Sequence, residues 1–141
     1  MSKLELRLAR LTSQLLRILQ PKRASAAVDV FFLPNVVLRR LKRDYLKKDV
    51  AFVDVLAFPA PRRFPRPDRP EGYLGEIYLN EAFRRGSAKE LVSMLIHGTL
   101  HLSGYRHGGK RDTIRMERQE EKLLARFRFS GQTFRFLADR R

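Results

Sequence analysis

Cysteine is absent from all 141 residues, so no disulfide staples this chain and no thiolate can hold a metal. Any transition metal must sit on histidine and carboxylate. Histidine itself is scarce: the three present, His97, His101 and His107, all fall within IHGTLHLSGYRH, residues 96–107. Acidic residues are in short supply, 15 against 30 Lys and Arg, giving a formal charge of +15. Such an excess favours a polyanionic partner, because each phosphate neutralised releases counterions. No apolar run approaches the roughly 18 residues that a membrane span needs, so no membrane partner is expected. Internal repeats are missing and no composition shift marks a domain boundary, which predicts a single domain over 1–141. No nucleotide cofactor is expected.

Hydrophobic residues make up 43% of the chain, with ten Phe and four Tyr, enough to build one real core. The opening segment MSKLELRLARLTSQLLRILQPKR places Leu4, Leu8, Leu11, Leu15, Ile18 and Leu19 on one face of an amphipathic helix. Arg7, Arg10 and Arg17 lie largely off that face. The segment lacks the apolar central block of a secretory signal, yet it is Arg-rich and nearly acid-free. A helix packed on the domain core and a mitochondrial presequence both remain open. The compartment expected is the cytoplasm, with the mitochondrion as the alternative.

AAVDVFFL (26–33) reads as a strand ended by Pro34, followed by a helix to about Lys48 with Val37, Leu38, Leu41 and Tyr45 on a common side. The nearly unbroken apolar run AFVDVLAF (51–58) predicts a strand covered on both faces. PAPRRFPRPDRP (59–70) is a proline-rich, basic loop, and YLGEIYL (73–79) a third strand. A further helix is expected from Ser87, its N-cap, to Gly104, which can take the left-handed cap conformation. Asp112 is expected to cap a last helix that turns Ile114, Met116, Leu123, Leu124 and Phe127 to the core. The tail RFRFSGQTFRF alternates Arg and Phe, as a docking strand or a stacking surface for bases would. This order of elements predicts an α+β domain in which helices pack a small mixed β-sheet, with a metal site at the end of a central helix.

His97 and His101 are four residues apart, so both rings project from one helix face about one turn apart. Leu91, Leu95 and Leu102 can anchor the other faces. Gly104 stops the helix, and the turn after it can bring His107 back as a third ligand. Three imidazoles with an open fourth position describe a catalytic zinc centre, although nickel, copper and iron suit the same donors. The spacing H-x-x-x-H-x-x-G-x-x-H is also that of metzincin proteases, with Met116 available for a methionine turn. Those enzymes need a Glu directly after the first His as general base, and here that position is Gly98.

The stretch IHGTLHLSGYRH closely resembles the zinc motif of the YbeY family, endoribonucleases of ribosomal RNA maturation, whose usual form is H-G-x-L-H-L-x-G-Y-D-H. VDVLAFP (53–59) is similar to the family's T-D-V-L-S-F-P strand, LGEIYL (74–79) to its L-G-D-I strand, and Met116-Glu117 to the M-E of its last helix. The resemblance covers roughly residues 28 to 124. It implies one zinc ion on His97, His101 and His107, and a nuclease acting on single-stranded RNA in ribosome maturation and quality control. The partners it implies are ribosomal RNA and the small ribosomal subunit.

Five departures stand out. Arg106 replaces the aspartate of GYDH, Leu46 replaces an arginine that usually follows a tyrosine before the T-D-V-L strand, Val53 and Ala57 replace Thr and Ser, and Glu76 replaces Asp. Lys47 or Lys48 can supply a charge in place of that arginine, without its bidentate fork. Candidate catalytic residues are therefore Arg106, Lys47 and Asp54, the last a lone carboxylate within an apolar run, where an unpaired charge would be expensive. Arg106, Lys110 and Arg111 flank the third histidine closely enough to receive a phosphodiester. A non-catalytic, zinc-stabilised ribosome-assembly factor and a protease-like metal hydrolase are the competing expectations.

Overall fold

The computed structural model describes residues 1–21, 26–60, 72–105 and 108–129, with side chains as far as residue 126. Helix α1 (Lys3–Leu19) begins with a capping box: Ser2 Oγ accepts from the Glu5 N–H, and the Glu5 carboxylate accepts from the Ser2 N–H at 2.7 Å. The other Glu5 oxygen accepts from the backbone N–H of Phe32 at 2.8 Å, which pins the first turn of α1 to strand β1 (Ala27–Leu33). Leu4, Leu8, Leu11, Leu15 and Leu16 are buried, so this amphipathic face is part of the core.

Helix α2 (Asn35–Leu46) follows, then strands β2 (Val55–Pro59) and β3 (Tyr73–Asn80), a short 3-10 turn at Glu81–Arg85, α3 (Ala88–Leu102) and α4 (Lys110–Phe129). The sheet order is β1-β3-β2, with β1 parallel to β3 and β2 antiparallel to it. The sheet is therefore mixed, as expected. Helices α1 and α3 cover one face, burying Val28, Val30, Phe32, Ile77 and Leu79 against Leu91, Leu95 and Leu100. Helix α2 covers the other face through a smaller cluster of Leu38, Val53 and Leu56. Helix α4 packs on α3 through Met116 and Leu123.

Several expectations need correcting. Strand β2 starts at Val55, four residues later than the apolar run, because side-chain amides replace the ladder ahead of it. Asn35 Oδ1 accepts from the Val53 N–H, and Asn80 Nδ2 donates to the Val53 carbonyl at 2.8 Å. From Val55 onward β2 is indeed covered on both faces, Val55 and Ala57 on the α3 side and Leu56 and Phe58 on the α2 side. Val37 and Tyr45 are exposed, since α2 buries only Leu38 fully. Asp112 lies inside the first turn of α4, not at its cap, and Ile114 is exposed. Helix α4 carries the start of the Arg/Phe tail, residues 126–129, as helix; the Phe127 side chain and the rest of the tail lie outside the described residues, as does most of the proline-rich loop.

Candidate metal centre

Helix α3 is built to hold one narrow face toward α4. Ser87 caps it, accepting from the Glu90 N–H, and Gly104 ends it at φ +98°. Gly98 faces the sheet: a Cβ there would lie 3.0 Å from Ile77 Cγ2 and 3.3 Å from Val55 Cγ2. The missing side chain lets the helix approach β2 and β3 closely. The metzincin glutamate could not sit here without being driven into apolar packing, which removes the protease reading on geometry as well as on sequence.

Turned away from the sheet, His97 and His101 are half-buried, with ring centroids 4.7 Å apart and planes at 75°. Their Nε2 atoms face each other at 3.1 Å. The opposite ring nitrogens decide what that means. His101 Nδ1 lies 3.0 Å from the Tyr105 carbonyl, which can only accept, so Nδ1 carries the proton. His97 Nδ1 lies 2.8 Å from Glu120 Oε1 and donates to that carboxylate. In the neutral rings both Nε2 atoms therefore present lone pairs to the same point. Two lone pairs at that separation repel unless a cation lies between them. Tetrahedral zinc with bonds of about 2.0–2.1 Å separates its ligand nitrogens by about 3.3 Å, close to the spacing here. A carboxylate and a backbone carbonyl on the far ring nitrogens are the usual support of metal-binding histidines. The donor set fits a divalent transition metal.

Among the described residues no third His, Asp or Glu joins the pair within reach of one ion, and His107 and Arg106 lie outside the described residues. Lys47 is exposed at the C-cap of α2, in the left-handed conformation with φ 56°. Asp54 is exposed just ahead of β2, its carboxylate accepting from the N–H of Val55. It is therefore not a charge inside an apolar strand, and burial demands no partner for it. Lys110 and Arg111 are exposed in the first turn of α4. Glu76 and Tyr78 do not alternate into solvent: both are half-buried on one sheet face, and the Tyr78 hydroxyl donates to the Glu76 carboxylate. Burial, followed by that carboxylate, pushes the Tyr78 phenol well above its ordinary range.

Glu120 was missed by sequence reasoning. It stands one turn beyond buried Met116, on the same side of α4, so the i, i+4 spacing from an expected core residue was the available signal.

A family model described as Endoribonuclease YbeY matches residues 2–128. The chain belongs to the YbeY family. Proteins carrying the name Endoribonuclease YbeY show the same relationship. That of Rhizobium meliloti is 35% identical over 124 residues, covering 79% of this chain and 70% of that protein. That of Chromohalobacter salexigens is 40% identical over 97 residues, covering 62% and 59%. That of Myxococcus xanthus is 35% identical over 118 residues, covering 76% of this chain but only 38% of its own length. The match thus spans less than two thirds of two of these relatives. The family is named for endoribonuclease activity, and its match takes in the whole of α3 and nearly all of α4.

Proposed function

We propose that this protein is a metal-dependent endoribonuclease acting on single-stranded ribosomal RNA during its maturation and in ribosome quality control, at the small ribosomal subunit. One zinc ion would be held by His97, His101 and His107. The observation that carries this reading is the pair of imidazole Nε2 lone pairs converging at 3.1 Å in a chain of the YbeY family. Bound zinc supplies Lewis acidity at the phosphodiester. The chain's own residues do the rest. Glu120 and the Tyr105 carbonyl keep the protons on the two Nδ1 atoms, so that both Nε2 atoms remain donors. Lys110 and Arg111, with the net charge of +15, draw the phosphate backbone to α4 without reading its sequence.

Zinc-loaded protein incubated with ribosomal RNA at low salt should cleave it, while the His101→Ala variant and a chelated control should not. Cleavage that persists in either control would overturn the assignment. A second reading, a zinc-stabilised assembly factor without catalysis, is favoured by two departures: exposed Leu46 stands where the resemblance places an arginine, and Arg106 where it places an aspartate. RNA binding that survives chelation, with no cleavage under any divalent metal, would select it.

A further inference from the structure

Next to the histidine pair lies a cavity of about 360 Å3, formed where the end of α1, the end of α3 and the first turns of α4 meet. Leu19, Gln20, Ser103, Tyr105, Asp112 and Arg115 line it. Tyr105 joins it to the candidate metal centre: its carbonyl accepts from His101 Nδ1, and the residue lines the cavity. We propose that this cavity is a base pocket for one unpaired nucleotide of the RNA, an inference that rests on the nuclease reading above only for the identity of the polymer.

The size sits at the lower end of small-ligand cavities, roughly 300–1,000 Å3, which admits one nucleoside and no duplex. The Tyr105 ring is packed against the core, so it offers a fixed π face. The Arg115 guanidinium lies over that ring, its carbon 5.9 Å from the centroid, so the surface a base meets is the outer guanidinium plane with Tyr105 beneath it. Aromatic and guanidinium planes are the surfaces on which splayed RNA bases stack. Leu19 adds apolar floor. One polar group speaks against a phosphate as the occupant. The Asp112 carboxylate would repel one, and its Oδ2 is close enough to the chain that a Cβ on Gly108 would lie 2.8 Å from it.

The rim carries acceptors beside the Arg115 donors. Ser103 Oγ spends its proton on the Thr99 carbonyl at 3.0 Å, leaving lone pairs for a ligand. With the Asp112 carboxylate and the Gln20 amide, these suit a base edge rich in N–H groups. Guanine presents N1–H and an exocyclic amine side by side to a carboxylate, whereas uracil has a single N–H. The pocket should therefore prefer guanine and accept uracil least.

Amide and side-chain NMR of the full-length, zinc-loaded protein, titrated with GMP, UMP and ribose 5-phosphate, tests this. Gln20, Gly104, Tyr105 and Arg115 should shift saturably with GMP, more weakly with UMP, and not with ribose 5-phosphate. Tyr105→Leu, which removes the ring that holds the guanidinium plane in place, should weaken GMP binding at least about 5-fold, the lower end of what one stacked base contributes. Asp112→Asn, which keeps the shape, should erase the preference for GMP over UMP. Equal shifts with ribose 5-phosphate, no shift at millimolar GMP, or unchanged GMP binding by a folded Tyr105→Leu protein would each overturn the pocket. Neither reading carries the other down. GMP seated in the pocket of a protein that never cuts ribosomal RNA keeps the pocket and discards the nuclease. Cleavage with unaltered GMP binding by Tyr105→Leu does the reverse.

Discussion

Replacing Glu120 by alanine should weaken zinc binding without unfolding the protein. The Glu120 carboxylate holds the His97 Nδ1 proton at 2.8 Å, and both side chains are about one-third exposed, so no buried charge is orphaned by the change. Two effects disappear with the carboxylate. The imidazole loses the partner that fixes its tautomer and orientation, and the ligand nitrogen loses the electron density that a hydrogen-bonded anion supplies. Loss of such a partner typically weakens metal affinity 10- to 100-fold, about 1.4–2.7 kcal/mol. Glu120→Gln keeps an acceptor oxygen while removing the charge, so its loss should be the smaller of the two. Competition for zinc against a chromophoric chelator measures both, and circular dichroism of the metal-free proteins checks the fold. Affinity of Glu120→Ala within twofold of the parent would refute the reasoning, as would a larger loss in the Gln variant. In either case the contact at 2.8 Å would have no part in holding a metal.

Glu5 should make the fold acid-sensitive. Burial alone raises its pKa, but the hydrogen bonds from the Ser2 and Phe32 backbones outweigh burial and bring it below the ordinary 4.5. A depressed carboxylate contributes stability that is present above about pH 4.5 and is lost as pH falls through the folded value. Urea unfolding should show Glu5→Gln less stable than the parent by about 1–3 kcal/mol at neutral pH, because one buried N–H then faces an amide donor. That gap should narrow on acidification below 4.5, and a gap that stays constant would contradict the assignment. Gly98→Ala should lower the thermal midpoint modestly: crowding against Ile77 and Val55 costs about 1–3 kcal/mol, partly offset by about 1 kcal/mol of helix propensity. Lys47→Gly should stabilise the protein by up to about 1 kcal/mol, since a left-handed residue at φ 56° is strained with any side chain. RNA cleavage lost in this more stable variant would assign Lys47 a role in the reaction.

What the sequence determined by itself was everything carried by local spacing. The 3.6-residue period buried Leu4, Leu8, Leu11 and Leu15 as expected, and the four-residue step put His97 and His101 on one face of α3. Glycine at 104 already stated where that helix must stop. Tertiary structure decided what those residues meet. The Asn35–Asn80 network, joining positions 45 apart, delayed β2 and left Asp54 in solvent, although the apolar run around it suggested burial. Glu120, 23 residues from His97, reaches it only because α4 packs on α3 through Met116 and Leu123. Period and spacing record which face a side chain occupies, because the backbone repeats locally. The partner of that face depends on how elements pack, and packing sums many weak contacts that no short stretch of sequence records. So the two imidazoles were legible in the sequence. The direction of their lone pairs, set by a carboxylate on another helix and a carbonyl beyond the helix end, belonged to the fold.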